Sequence, residues 1–143
     1  MPSIAPKPCH DIALVAAINA DQQLLLLKRA EQQHCGALWS LPGGKVEKEE
    51  PPLTAAQREL LEETGLQSND WHHLGEQRYD YQDRTLHFHI YRCQINSDQR
   101  APHHCTEQPA WVSIEQLIHH PMPEANQTMM PLILPFLTSQ GLA

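Results

Sequence analysis

The sequence predicts a single α/β domain over residues 1–143 on three observations: two dense apolar runs near the N-terminus, one well-bounded helix pattern, and a later interrupted alternation. A chain of 143 residues can bury about two thirds of the surface its unfolded form exposes, enough for one core and one main site.

The elements follow in order. The proline-rich lead from Pro2 to Pro8 reads as extended chain, and Ile12 to Ile18 as a strand buried on both faces. Asn19 to Gln22 is a turn. Leu24 to Leu27 forms a second buried strand that delivers Lys28 and Arg29 to its C-terminal end, where sheets often face ligands. Gln32 to Ala37 is a polar loop, and Trp39 to Gly44 reaches a bend that glycine accepts most easily. Pro51-Pro52 opens a helix with Leu53, Ala56 and Leu60 on one face, Glu63 near its end and Gly65 just beyond. Residues Arg78 to Cys93 alternate in part, with a break at Gln82-Asp83-Arg84 that predicts a hairpin. A polar loop from Gln94 to Gln108 precedes a short strand from Pro109 to Ile114. The apolar spacing of Met129, Leu132, Ile133, Phe136 and Leu137 predicts a last helix, made irregular by Pro131 and Pro135.

Composition narrows the function. A formal charge of −7 disfavours nucleic acid polymers as partners, yet leaves small phosphorylated molecules open where carboxylates hold divalent cations. Cys9, Cys35, Cys93 and Cys105 are too dispersed for a zinc knuckle or a redox pair, so reduced thiols are expected. No apolar leader or membrane-length run is present, and the protein is expected to be soluble, unprocessed and cytoplasmic. The histidines at 72–73, 87, 89, 103–104 and 119–120 lack ligand spacing and read as surface or strand residues.

The chemistry concentrates between Gly44 and Leu66. From Gly44, five residues lead to Glu50 and seven more to Arg58, followed by Glu59-Leu60-Leu61-Glu62-Glu63-Thr64-Gly65-Leu66. Glu59, Glu62 and Glu63 stand at i, i+3 and i+4 on one helix face. Like charges at that spacing repel, and the last two also oppose the negative end of the helix dipole; a bound cation removes both penalties. Oxygen-only donors favour Mg²⁺, with Mn²⁺ as a substitute. Alone, the trio would read as a solvated face. Gly43 and Gly44 add backbone that can approach a metal or a phosphate, and Arg58 can fix a glutamate's rotamer or form an ordinary surface ion pair.

The spacing Gly, five, Glu, seven, Arg-Glu-apolar-any-Glu-Glu-any-Gly-apolar resembles the Nudix box, and Trp39 to Glu47 resembles the approach to that box in MutT-type enzymes. One departure is Glu49, where glycine is common in the family. The resemblance implies a Nudix fold, a mixed β-sheet sandwiched between helices, and metal-dependent hydrolysis of a nucleoside diphosphate linkage. It places Gly43, Glu59, Glu62 and Glu63 at metal-binding positions, with these glutamates and Arg58 in the catalytic group. It further implies substrate contacts from Arg29, Gly44, Lys45, Tyr81, Arg84 and Asn126, the set expected of a MutT-like enzyme that sanitises 8-oxo-dGTP. Asn126 also suits an N-cap ahead of the last helix, and Tyr81 and Arg29 also suit plain sheet roles. Glu59 and Glu107 are the candidates for activating water. Other nucleotides, including a cytidine triphosphate, ADP-ribose, NADH or a dinucleoside polyphosphate, or a non-catalytic nucleotide-binding role, are the alternatives.

Overall fold

The computed structural model describes residues 7–29, 38–96, 98–99 and 108–137. The chain runs β1 (Cys9–Ile18), β2 (Leu24–Lys28), β3 (Trp39–Ser40), β4 (Gly43–Lys45), α1 (Pro52–Thr64), β5 (Trp71–Asp80), β6 (Thr85–Gln94), β7 (Gln108–Val112) and α2 (Glu124–Ile133). Short 3₁₀ turns cover Ile114–His119 and Leu134–Phe136. One mixed sheet has the order β3-β2-β1-β6-β5, with β4 on β1 and β7 on β2. The β1–β6 pairing is parallel and the remaining pairings are antiparallel.

The apolar run of β1 explains the layering. Its alternate side chains Leu14, Ala16 and Ile18 pack with Ala125, Met129 and Ile133 of α2, whereas Ala13, Val15 and Ala17 pack with Ala55, Ala56 and Leu60 of α1. Both faces are therefore covered, and the expected helix–sheet–helix sandwich is the observed fold. Leu60 is fully buried, and burying a side chain of its size contributes roughly 1.5–3 kcal/mol. Cys9 and Cys93 are free thiols, and burial pushes the Cys93 thiol up to about 12, which keeps it unreactive. Cys35 and Cys105 lie outside the described residues.

Helix α1 starts at Pro52 as expected and ends with Gly65 in the left-handed region at φ 76°, its N–H donating to Leu61 C=O at 2.8 Å. Leu53 departs from the expected buried face, being 37 % exposed, because Ala55 and Ala56 take the sheet-facing positions. The hairpin at residues 81–84 forms as expected, with Tyr81 N–H donating to Arg84 C=O at 2.7 Å. Its first strand begins at Trp71, well before Arg78, because a register shift between His73 and Gly75 breaks the two-residue period that marks a strand. The strand expected over 109–114 stops at Val112, where Ser113 caps a 3₁₀ turn. Helix α2 begins at Glu124, earlier than the Met129 spacing indicates, since Pro123 at φ −57°, ψ 150° sets the N-cap. Asn126 therefore lies inside the helix, and its reading as an N-cap is corrected.

Candidate active site

The helix places Arg58 at the centre of an acidic network. Its Nε and Nη2 donate to the two oxygens of Glu50 at 2.8 and 3.0 Å, a bidentate pair. Nη1 donates to Glu59 at 3.0 Å and to Glu62 at 2.9 Å, and Nη2 also donates to the Lys45 carbonyl at 3.1 Å. Hydrogen bonds from Arg58, then from the Glu47 backbone, hold the Glu50 carboxyl below its ordinary range, and Glu50 above all raises the Arg58 guanidinium. Arg58 thus fixes carboxylates, as the sequence suggests, but its bidentate partner is Glu50, which sequence reasoning left out of the site. The signal was present, because Glu50 is a fixed position of the box.

The turn before the helix shows what the Glu49 departure costs. Glu50 N–H donates to Glu47 C=O at 3.0 Å, and Glu49 sits third in that turn at φ 66°. Glycine accepts this conformation without steric cost, so an acid here carries local strain.

Backbone glycines approach the same glutamates. Gly43 N–H donates to Glu63 Oε1 at 2.9 Å. A Cβ on Gly43, whose φ is 154°, would lie 2.1 Å from the Ala13 carbonyl oxygen. A Cβ on Gly44 would lie 2.5 Å from the Glu59 carboxylate, so only hydrogen fits between this strand and that side chain. Glu59, Glu62 and Glu63 are each held by a donor of the chain. Arg58 ties the first two and Gly43 ties the third. The donor set around the glycine strand, all carboxylate and backbone oxygen, fits a hard divalent cation.

A cavity of about 510 Å³ opens beside this strand. Among its lining residues are Arg29, Gly43, Gly44, Lys45, Glu63, Tyr81, Arg84 and Asn126, so the structure brings together every residue expected to contact substrate. Glu59, Glu62 and Arg58 are not among its walls, and Arg58 instead borders a second cavity with Thr54, Gln57 and Leu61 on the outer side of α1. Three cations, Arg29, Lys45 and Arg84, face one carboxylate, Glu63, in a protein of net charge −7. Arg84 lies over the Tyr81 ring at 4.6 Å, while Ile12, Leu14, Leu86 and Phe88 supply an apolar wall. Asn126, 8 % exposed, accepts from Leu41 N–H through Oδ1 at 3.1 Å, which fixes the amide orientation and leaves its NH₂ as the group it offers. Leu41 was not singled out from the sequence. Glu107 lies outside the described residues.

A sandwich with a carboxylate-bearing helix beside a cationic, apolar-walled cavity suits a small phosphorylated ligand. The profile of the NUDIX domain matches residues 9–133, and the chain belongs to the Nudix family as a hydrolase. Enzymes of this family generally use divalent metals and act on small nucleotides. The chain is similar to the CTP pyrophosphohydrolase of Escherichia coli, 30% identical over 128 residues, covering 88% of this chain and 91% of that protein. The 8-oxo-dGTP diphosphatase of the same organism is 28% identical over 120 residues, covering 83% and 92%. Among solved structures, a MutT protein from a study of Aliivibrio salmonicida and Vibrio cholerae superposes with a TM-score of 0.70 at 28% identity, covering 89% of this chain and 98% of that one. A Burkholderia pseudomallei MutT NUDIX hydrolase, at TM-score 0.74, 24% identity and coverage of 92% and 100%, shares the fold. No helix among the described residues is long and apolar enough to cross a membrane.

Proposed function

We propose that this enzyme is a Mg²⁺-dependent nucleoside triphosphate pyrophosphohydrolase that converts 8-oxo-dGTP and water to 8-oxo-dGMP and pyrophosphate. The observation that carries the reading is the cavity that joins three cations for a polyphosphate, an aromatic and apolar wall for a base, and the Asn126 amide at one place. Glu59, Glu62 and Glu63 with the Gly43 backbone would hold Mg²⁺, or Mn²⁺ in its place. The bound cation would neutralise phosphate oxygens and lower the pKa of water.

The chain's own groups then divide the work. Arg58 holds Glu59 and Glu62 in fixed rotamers, and Gly43 N–H does the same for Glu63. Arg29, Lys45 and Arg84 bind the polyphosphate, and Gly44 lets it approach the backbone. Tyr81 stacks on the base, with Leu86 and Phe88 excluding water beside it. Glu59 accepts the proton of the attacking water as the bridging P–O bond breaks; Glu107 is the loop alternative for that role. Asn126 donates its NH₂ to a keto oxygen of the oxidised purine, since Oδ1 is engaged by Leu41.

A second reading, hydrolysis of CTP, is favoured by the similarity to the Escherichia coli CTP pyrophosphohydrolase across 91% of its length. Measuring kcat/KM with Mg²⁺ for 8-oxo-dGTP, dGTP and CTP separates the two. The expected order places 8-oxo-dGTP first, with a loss of about tenfold for that substrate on losing one Asn126 hydrogen bond. Asn126→Asp, which keeps the acceptor for Leu41 N–H but not the amide donor, should show the loss without the instability that Asn126→Ala adds. A preference for CTP, or a loss equal for all three nucleotides, would overturn the 8-oxo-dGTP assignment.

A further inference from the structure

We propose that Asp11, His87 and His89 form a second metal site, selective for a borderline transition-metal cation such as Zn²⁺ and separate from the glutamates of α1. Among the described residues they are the group of three or more histidine, cysteine or acidic side chains whose ligand atoms all lie within 4.8 Å of one another. Strand geometry gathers them. His87 and His89 are two apart on β6 and so share a face, and Asp11 stands in parallel register with His87 on β1. Glu76 of β5 is directly opposite His89 on the antiparallel side. Their face is the one that carries Ala13, Val15 and Tyr91 toward α1, opposite the cavity wall formed by Ile12, Leu86 and Phe88.

The ring nitrogens are laid out for coordination. His87 turns Nδ1 toward Asp11 Oδ1 at 3.4 Å and Nε2 toward Glu76 Oε1 at 2.7 Å. His89 turns Nε2 toward the same Asp11 oxygen at 2.9 Å, with Nδ1 3.9 Å from the same Glu76 oxygen. Each imidazole therefore gives one nitrogen to Asp11 and the other to Glu76. Two ligands on a tetrahedral Zn²⁺ with bonds of about 2.0–2.1 Å stand about 3.3 Å apart, which the Asp11–His87 separation meets and the Asp11–His89 pair meets after opening by under half an ångström. Glu76 then takes the outer position, accepting the Nε2 proton of His87 and fixing its tautomer. Two imidazoles and one carboxylate favour Zn²⁺, Ni²⁺ or Co²⁺ over Mg²⁺, and three protein ligands leave a further position for water. His89, only 12% exposed, supplies the pre-set ligand, while half-exposed Asp11 leaves the site open to entry.

Titration calorimetry with ZnCl₂ on the full chain, in excess Mg²⁺, tests the site. Wild type should bind one Zn²⁺ that His89→Ala and His87→Ala each abolish, that Glu76→Gln weakens by about tenfold, and that Glu59→Gln leaves unchanged. Cobalt(II) should give visible absorption bands that the same histidine variants lose, with the far-UV circular dichroism of each variant confirming its fold. Zn²⁺ binding unaffected by His89→Ala in a folded variant, or no Zn²⁺ binding by wild type, would overturn the proposal.

Discussion

Replacing Gly44 by alanine is expected to lower nucleotide hydrolysis by about 10²-fold while leaving the fold intact. The added Cβ would sit 2.5 Å from the Glu59 carboxylate, closer than any real contact, so one of the two must move. The side chain is the softer partner: Glu59 is held by one hydrogen bond from Arg58, whereas Gly44 is fixed in strand β4 opposite Ala13 of β1. Displacing a reacting group by about 1 Å costs on the order of 10²-fold in rate. Thermal melting of the variant close to wild type, together with reduced kcat, is the expected pair of results. A matched fall in both would mean that the strand had shifted and that the clash says nothing about Glu59. Gly43→Ala should behave differently, because there the Cβ meets the Ala13 carbonyl of the sheet itself at 2.1 Å and the fold must give way.

Arg58→Ala should lower both activity and stability. It releases Glu59 and Glu62 from their fixed rotamers and strips Glu50, whose side chain is 12% exposed, of its bidentate partner. Loss of a residue that orients metal ligands costs about 10- to 100-fold in metal affinity or activity. The stability effect carries a pH signature. Arg58 lowers the Glu50 pKa in the folded state, so this pair stabilises the protein fully above the ordinary carboxylate value of 4.5 and ceases to do so as pH falls through the lowered folded value. The melting-temperature difference between wild type and Arg58→Ala should therefore be largest near neutrality and shrink below about pH 4.5. Arg58→Lys, which keeps the charge but not the planar fork, should recover little of the activity.

These expectations rest on features that the sequence exposes unequally. Helix α1, its Pro52 start and its Gly65 end were legible because caps and periodicity are local. So was the burial of Ala13 to Ile18, which the unbroken apolar run requires, although Ile12 at its start is only partly buried. The gathering of Arg29, Tyr81, Arg84 and Asn126 about one cavity is not local; it depends on the parallel β1–β6 pairing and on α2 packing against the sheet, and only the resemblance to a family anticipated it. The start of α2 was missed because Glu124-Ala125-Asn126 offers no apolar spacing, although Pro123 marks it. Asp11, His87 and His89 were passed over because their grouping is not local either. Their ligand atoms meet through strand register across 76 residues, and no motif in the chain records that register.

In the proposed reaction the glutamates of α1 serve metal-dependent cleavage of a nucleotide held in the cationic cavity. Product analysis of 8-oxo-dGTP incubated with wild type and with Glu62→Gln, with Mg²⁺ and with EDTA, tests it most directly. Pyrophosphate and monophosphate should appear with wild type and Mg²⁺, and be lost with Glu62→Gln and with EDTA alike. Equal turnover by the two proteins, or turnover that survives EDTA, would contradict it.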